Sequence, residues 1–501
     1  MKYRCSFLLL VMLPVIGLCQ RISYSEPETE DARTLDFEII GKVGGNFLVY
    51  KNIRNRYAVS VYDNDMALKE RVQLDIPDKT LNADFIAYPD FVYIIYQYQK
   101  KSVLHCMALK IDGNAKKMAE PIELDTTQIS IFADNKIYNM VKSEDKQKIM
   151  VYKIQKKYDR FNFKTILFNA QLEQLHASRF QMPYDERKEA FSDFYLDNQG
   201  TFVATKSIRG GSRELVSKLF LLTKPPVDDQ FQEFELPLNK SYLDEVTVKV
   251  DNVNKRYLLN SFYYNQKRGN IDGLYTAIWD KAFGRIAVQS TVEFNEEIKK
   301  EAKSEGSVRF AFNDFFIRNV ILKKDGGFIL SAEDFTSQSR GGQWNRMDYL
   351  YGYPYISSYD YYINSRSAYW DYYRPRNANS LTRYFYNNIV ALNIDKEGKM
   401  VWSNIIRKEQ FDDGEDNLLS YQLVNVGGEL HYLFNEPERR NQLIADQTLS
   451  ADGKITRNPT LKSLDKGYQF MPKFAKQVSA KQIIVPCLYR TYICFAKIDY
   501  E

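Results

Sequence analysis

The chain has 501 residues, with 69 Lys and Arg against 64 Asp and Glu, and its 44 % hydrophobic and 27 % charged content is that of ordinary globular proteins. Collagen-like, coiled-coil and globally disordered classes are thereby excluded, and a near-balanced charge without basic blocks argues against nucleic acid as a partner. With 37 Tyr and 31 Phe against 4 Trp and 3 His, the composition favours strands over helices, and the chain is expected to be all-β.

At the start, Lys2 and Arg4 precede the apolar run from Phe7 to Leu18, the charged and apolar parts of a secretory signal. The run is too short for a membrane span. Cleavage after Cys19 leaves small residues, Gly17 and Cys19, on the cleavage side and makes Gln20 the new first residue. Residues 1–19 are thus expected to be a signal peptide and 20–501 a single exported domain. A lipoprotein reading, with Cys19 as the lipidated residue, competes, although Leu18 stands where such signals favour a small residue. No later stretch approaches the ~18 apolar residues of a spanning helix, so no transmembrane segment is expected in the mature chain.

Along the chain a short pattern recurs, a turn of Gly, Asp, Asn or Pro leading into an apolar alternating strand. Its clearest copies are Val43-Gly44-Gly45-Asn46-Phe47, Asp325-Gly326-Gly327-Phe328-Ile329 and Val426-Gly427-Gly428-Glu429-Leu430. Weaker ones centre on Pro89, Asp134, Asn198, Asn252 and Ser479. A second pattern follows most of them: a strand that ends at Asp and turns, as at Tyr62-Asp63, Ile111-Asp112, Trp279-Asp280 and Ile394-Asp395. Asp and Gly serve tight turns between twisted strands. Each unit therefore reads as four antiparallel strands, the content of one propeller blade.

The eight first turns are separated by 45, 45, 64, 54, 74, 101 and 52 residues. The short intervals fit a four-stranded blade and the long ones carry insertions. The expected fold is a single closed β-propeller of eight four-stranded blades, or seven if one weak copy is an insertion. After the last turn only two strands fit, so a segment near Arg21–Glu26 should complete the last blade beside Tyr492–Tyr500 and leave no free sheet edge.

The stretch Asp325 to Glu333, with Asn388 to Asp395, Gly398 and Trp402 further on, resembles the repeat of exported β-propellers common in Bacteroidota. The resemblance covers one blade. It implies the fold and an exported bacterial setting but no particular activity, since propellers host binding and catalysis alike.

Within blade six, residues 336–387 are read as an insertion. Its core, from Trp344 to Tyr386, holds twelve tyrosines together with Trp370 and Arg366, Arg374, Arg376 and Arg383. Tyr with Arg, Ser and Asn is the composition of recognition surfaces. Trp344, Tyr353, Tyr361, Trp370, Tyr373 and Arg374 are the candidate binding residues; the competing reading is a cap that folds back on its own propeller.

The chain has no phosphate-binding glycine loop, no nucleophile elbow and no zincin motif, and no catalytic, metal or cofactor residue is assigned. Asp63-Asn64-Asp65 begins like a calcium loop but lacks the later ligands and is read as a turn, and so is Arg209–Arg213. The acidic run Asp412–Asp416 admits a cation-binding reading beside that of a solvated loop. His105, His176 and His431 are expected on strand surfaces. If Arg490 and Thr491 form a two-residue turn, Cys487 and Cys494 face each other across a hairpin, as a disulfide or as two buried thiols; Cys106 should stay free.

Two functions stand open. The favoured one is a non-catalytic interaction or scaffold module at the bacterial cell envelope, binding a protein or glycan partner. The other is a carbohydrate-active or sugar-binding propeller with aromatic platforms and a carboxylate pair. With residues from Tyr468 onward committed to the last blade, no separate sorting domain is expected, and the expected address is the periplasm or the periplasmic side of the outer membrane, with a lipoprotein through Cys19 or a secreted protein as the alternatives.

Overall fold

A computed structural model describes residues 21–500, apart from 31–34, 79, 130–136, 186, 212–213, 304–306, 340–343, 352–381, 439–440 and 459–466. Residues 1–19, expected to be a signal peptide, lie outside these residues. The chain is mostly β and propeller-like, with two short α-helices among the described residues, α1 (Glu296–Ala302) and α2 (Arg346–Tyr351). No helix among the described residues is long and apolar enough to cross a membrane.

Among the described residues the strands hydrogen-bond into seven sheets, one of them ten-stranded. The ten-stranded sheet holds two successive antiparallel sets joined through the short strand Tyr242–Leu243, where Leu243 lies opposite Val216 of one set and Tyr263 of the next. Counted by connectivity there are eight sets, whose first strands are Leu35–Val43, Thr80–Ala87, Tyr138–Lys142, Glu189–Phe191 with Tyr195–Leu196, Tyr242–Leu243 with Thr247–Asp251, Phe315–Leu322, Tyr421–Val426, and Tyr468–Phe470 with Lys476–Ser479. In the last set Arg21–Tyr24 pairs with Tyr492–Asp499, placing Arg21 opposite Asp499 and Tyr24 opposite Ala496.

Apolar residues on both faces of the second and third strands explain how the sets pack. Burial runs almost unbroken along Asn46–Ile53, Arg56–Tyr62, Arg256–Tyr264 and Gly273–Asp280, as expected for sheets covered on two sides. One core lies between each successive pair of sets: Leu48 and Val59 meet Ile94, Ile86 and Ile95 meet Ile149, and Leu258 and Ile278 meet Leu330 and Leu392. A further core joins the last set to the first, with Phe37, Phe47 and Tyr62 against Ile484, Ile493 and Phe495. First strands of neighbouring sets lie against one another, Leu35–Val43 against both Lys476–Ser479 and Thr80–Ala87. These first strands carry partly exposed residues and border the space between the sets, hereafter the channel.

The turns explain the sequence patterns. At the Asp-ended turns one carboxylate oxygen accepts two backbone N–H groups, from residues 65 and 67 at Asp63, from 114 and 116 at Asp112, and from 397 and 399 at Asp395. Asn169 does the same for Gln171 and Glu173, a copy the Asp pattern does not pick out. Asp63 is therefore a turn residue.

Three expectations are corrected. The first turn of set three is not at Asp134 but at Ser143–Gln147, since Tyr138–Lys142 is the first strand and Lys148–Lys157 the second. That turn has no glycine: Ser143 Oγ and Asp145 Oδ1 satisfy its backbone and Lys146 takes a φ of 58°. The strands flanking the insertion are also longer than expected, running Phe328–Ser339 and Thr382–Ile394, so Tyr384 and Tyr386 belong to the sheet. His431 is not on a surface but buried, with Nδ1 3.0 Å from Asp446 Oδ1.

Candidate functional site

A cavity of about 260 Å3 opens beside the starts of the first strands of sets four, five and six. Set four contributes Ser192, Asp193 and Arg209, set five Asp244 to Thr247, set six Arg318, and α2 covers it with Tyr349 and Leu350. Three sets and one insertion thus meet at a single opening, at the end of the channel where the loops between second and third strands emerge.

Helix α2 is placed there by charge and by packing. Arg346 donates to Asp244 Oδ2 from Nε at 3.0 Å and contacts it with Nη2 at 2.8 Å, reaches the Asn313 carbonyl at 3.1 Å, and lies 4.0 Å over the Phe316 ring. Asp244 also accepts from Ser261 Oγ and Tyr264 Oη, each at 3.2 Å. Burial pushes the Asp244 carboxyl up, and the Arg346 guanidinium opposes that shift. Leu350 is buried among Phe316, Phe335, Tyr384, Tyr386 and Leu419. Arg318 donates to Tyr349 Oη at 2.9 Å and lies near Glu333, whose carboxylate is buried against Lys408 at 2.9 Å and accepts from Ser420 Oγ at 2.7 Å.

Of the expected binding residues, Trp344 donates from Nε1 to Asp314 Oδ1 at 3.0 Å and packs edge-on against Phe335. At this position the cap reading describes the geometry. Tyr353, Tyr361, Trp370, Tyr373 and Arg374 lie outside the described residues. In the acidic run, Asp413 forms a two-pronged pair with Arg383 at 2.7 and 2.8 Å, and Asp416 accepts from Tyr386 Oη at 2.8 Å and pairs with Lys473 at 2.9 Å. Cys487 lies directly opposite Cys494 with both buried as thiols, and Cys106 is likewise free. Arg346, Asp244 and Arg318 were not singled out in the sequence. They stand 102 and 74 residues apart, and only Arg346, at the edge of the tyrosine-rich segment, carried a compositional signal.

Further along the channel, Glu38 and Asp84 of sets one and two face Lys142 of set three and Lys476 of set eight. Burial raises the Glu38 carboxyl to about 7, Lys476 and Lys142 counter this, and Asp84 adds to it. Burial brings Lys142 down to about 8, with help from the charges of Lys476 and Lys146.

No family model matches the chain, and no curated protein matches it. Among solved structures it is similar to prolyl oligopeptidase B from Galerina marginata (TM-score 0.41, 8% identity, 92% of this chain and 56% of that one). It is also similar to the polysaccharide lyase Uly1 (TM-score 0.35, 9% identity, 83% and 89%) and to the Dos1 propeller (TM-score 0.33, 6% identity, 84% and 91%). The chain spans 56% of the length of the prolyl oligopeptidase.

Proposed function

We propose that the eight sets form one closed eight-bladed propeller, exported and periplasm-facing in a Bacteroidota-type bacterium, that acts as a non-catalytic interaction module. Its cavity beside α2 receives part of a protein or glycan partner at the envelope. The observation that carries this reading is the cavity, walled by three sets and by the helix from which the tyrosine-rich segment departs. Its volume of about 260 Å3 is below the ~300–1,000 Å3 of sites that enclose a whole drug-sized ligand, so it suits one end group of a larger molecule. Its arginines and carboxylates, with the ring of Tyr349, offer donors, acceptors and a flat apolar face together. Binding of envelope extract and of a glycan panel should be lost when Thr247→Trp fills the cavity and the melting temperature is unchanged. Binding that survives both this change and replacement of residues 352–381 by a Gly-Ser linker would refute the reading.

A carbohydrate-active function is the second reading, favoured by one observation. Glu38, held near 7 beside Asp84, has the proton affinity of a general acid at neutral pH. Against it stand Lys142 and Lys476, interleaved with the two carboxylates. Turnover of a polysaccharide panel, abolished in Glu38→Gln, would establish it.

A further inference from the structure

Three lysines reach across the channel-side joints of sets eight, one, two and three, and each anchors on a backbone carbonyl of the neighbouring set. Lys476 Nζ donates to Ile39 O at 2.8 Å, Lys142 Nζ to Phe85 O at 3.0 Å, and Lys146 Nζ to Ala87 O at 2.6 Å. Phe85 and Ala87 are two apart on one strand, so two of the ammonium groups are held about 7 Å from each other by the strand repeat. The third, Lys476, is anchored at the adjoining joint, where the first strand of set one is irregular. Its register slips between Ile39 and Gly41, Gly41 takes a φ of +140°, and a Cβ there would lie 3.8 Å from the Ala87 Cβ. Bulges of this kind re-aim groups next to functional sites.

Each ammonium has three donors and commits one to a carbonyl. Neither acid nearby neutralises them by contact. Asp84 accepts instead from Asn82 Nδ2 at 2.9 Å, and Glu38 forms no direct ion pair among the described residues. Glu38, Asp84, Lys146 and Lys476 are half-buried, and Lys142 keeps part of its surface in solvent while its ammonium is packed among protein. Burial first, and then the neighbouring ammonium groups, lower the proton affinity of Lys142 and Lys476, and three cations with donors to spare suit an anion.

We infer that Lys142, Lys146 and Lys476 bind a small oxyanion of the phosphate or sulfate class in the channel, away from the cavity at the other end. The ammonium groups supply the charge as point donors, the usual role of lysine toward phosphate. Glu38, when protonated, supplies a further donor. The groups facing Glu38 are Lys476, Lys142, Asp84 and, on its own strand and the adjacent one, Asp36 and Tyr50. Lower pH therefore favours the complex by charging the lysines and discharging Glu38.

Calorimetric titration of the mature chain tests this, with inorganic sulfate as a probe of constant charge and inorganic phosphate in parallel. Saturable binding is expected, at least tenfold tighter at pH 6.5 than at pH 9 for sulfate. It should weaken at least tenfold in K142M/K476M, stay within about threefold in K142R/K476R, and be unchanged in the surface control K218M. The arginine pair separates loss of charge from damage to the fold. Glucose 6-phosphate binding more tightly than phosphate would identify a substituent on a larger molecule, and the reverse order the free ion. No saturable binding by the wild type, or K142M/K476M binding like the wild type, overturns the inference.

Discussion

Arg346 and Asp244 form a buried ion pair between the first helical residue of the insertion and the channel side of set five, with the carboxylate only 1 % exposed. Breaking such a pair on one side leaves a buried charge uncompensated and costs ~3–5 kcal/mol. R346A should therefore lower the unfolding free energy in urea by about 3 kcal/mol, and D244N/R346M should recover most of that loss. A single substitution without measurable effect would show that α2 is held by its apolar contacts alone.

The boundaries of the insertion follow from the same pair. Removing residues 346–384 would delete Arg346, Leu350 and Tyr384, all packed on the sheet, and should destabilise the protein whatever the segment recognises. Replacing only 352–381 by a Gly-Ser linker should leave the melting curve within a degree or two of wild type. Comparing the two deletions by calorimetry separates support from recognition.

Deleting Arg21–Tyr24 strips one strand from the last set and exposes the backbone of Tyr492–Asp499. Unpaired strand edges recruit other chains. The truncated protein should melt at a lower temperature and elute as dimers and larger species in size-exclusion chromatography, whereas substituting Arg21, whose contact with Asp65 is on the surface, should change neither.

Glu38 makes stability depend on pH in the direction opposite to most carboxylates. Its folded pKa, about 7, lies above the ordinary glutamate value of 4.5, so between these values the folded chain holds more protons than the unfolded one, and stability falls as pH rises. The contribution is complete below the unfolded pKa and is lost above 7. E38Q should flatten the melting temperature between pH 5 and 8, and carboxyl carbon NMR should place the Glu38 midpoint near 7.

Cys487 and Cys494 are fully buried, and burial pushes the Cys487 thiol well up. The thiolate is the reactive form. Aromatic disulfide reagents should therefore modify Cys106, Cys487 and Cys494 no faster than the native protein unfolds, and all three should react at once in denaturant.

Much of the fold is written locally. The glycine turns at Gly44, Gly326 and Gly427, and the Asp turns at Asp63, Asp112 and Asp395, mark hairpins because positive φ and an Asp side chain bridging to backbone N–H groups are needed there. The pattern fails at Ser143–Gln147, where hydroxyl and carboxylate groups replace glycine. The site is not local. Asp244, Arg318 and Arg346 belong to different elements and meet only once sets five and six are packed. The same holds for Lys142 and Lys476, which approach only when the last set returns to the first. The tyrosine-rich stretch has structural ends, Trp344 and Tyr386, both packed on set six.

The short strand Tyr242–Leu243 gives the cavity an unusual foundation. Among the described residues, most neighbouring sets meet through side chains alone. Sets four and five share a continuous backbone ladder through this strand, and Asp244 is the residue that follows it. The walls built from these two sets are therefore coupled like two pages bound at one spine, and the anchored helix α2 rides with them. A partner that enters there meets a surface whose ordering entropy was spent during folding and need not be spent again on binding.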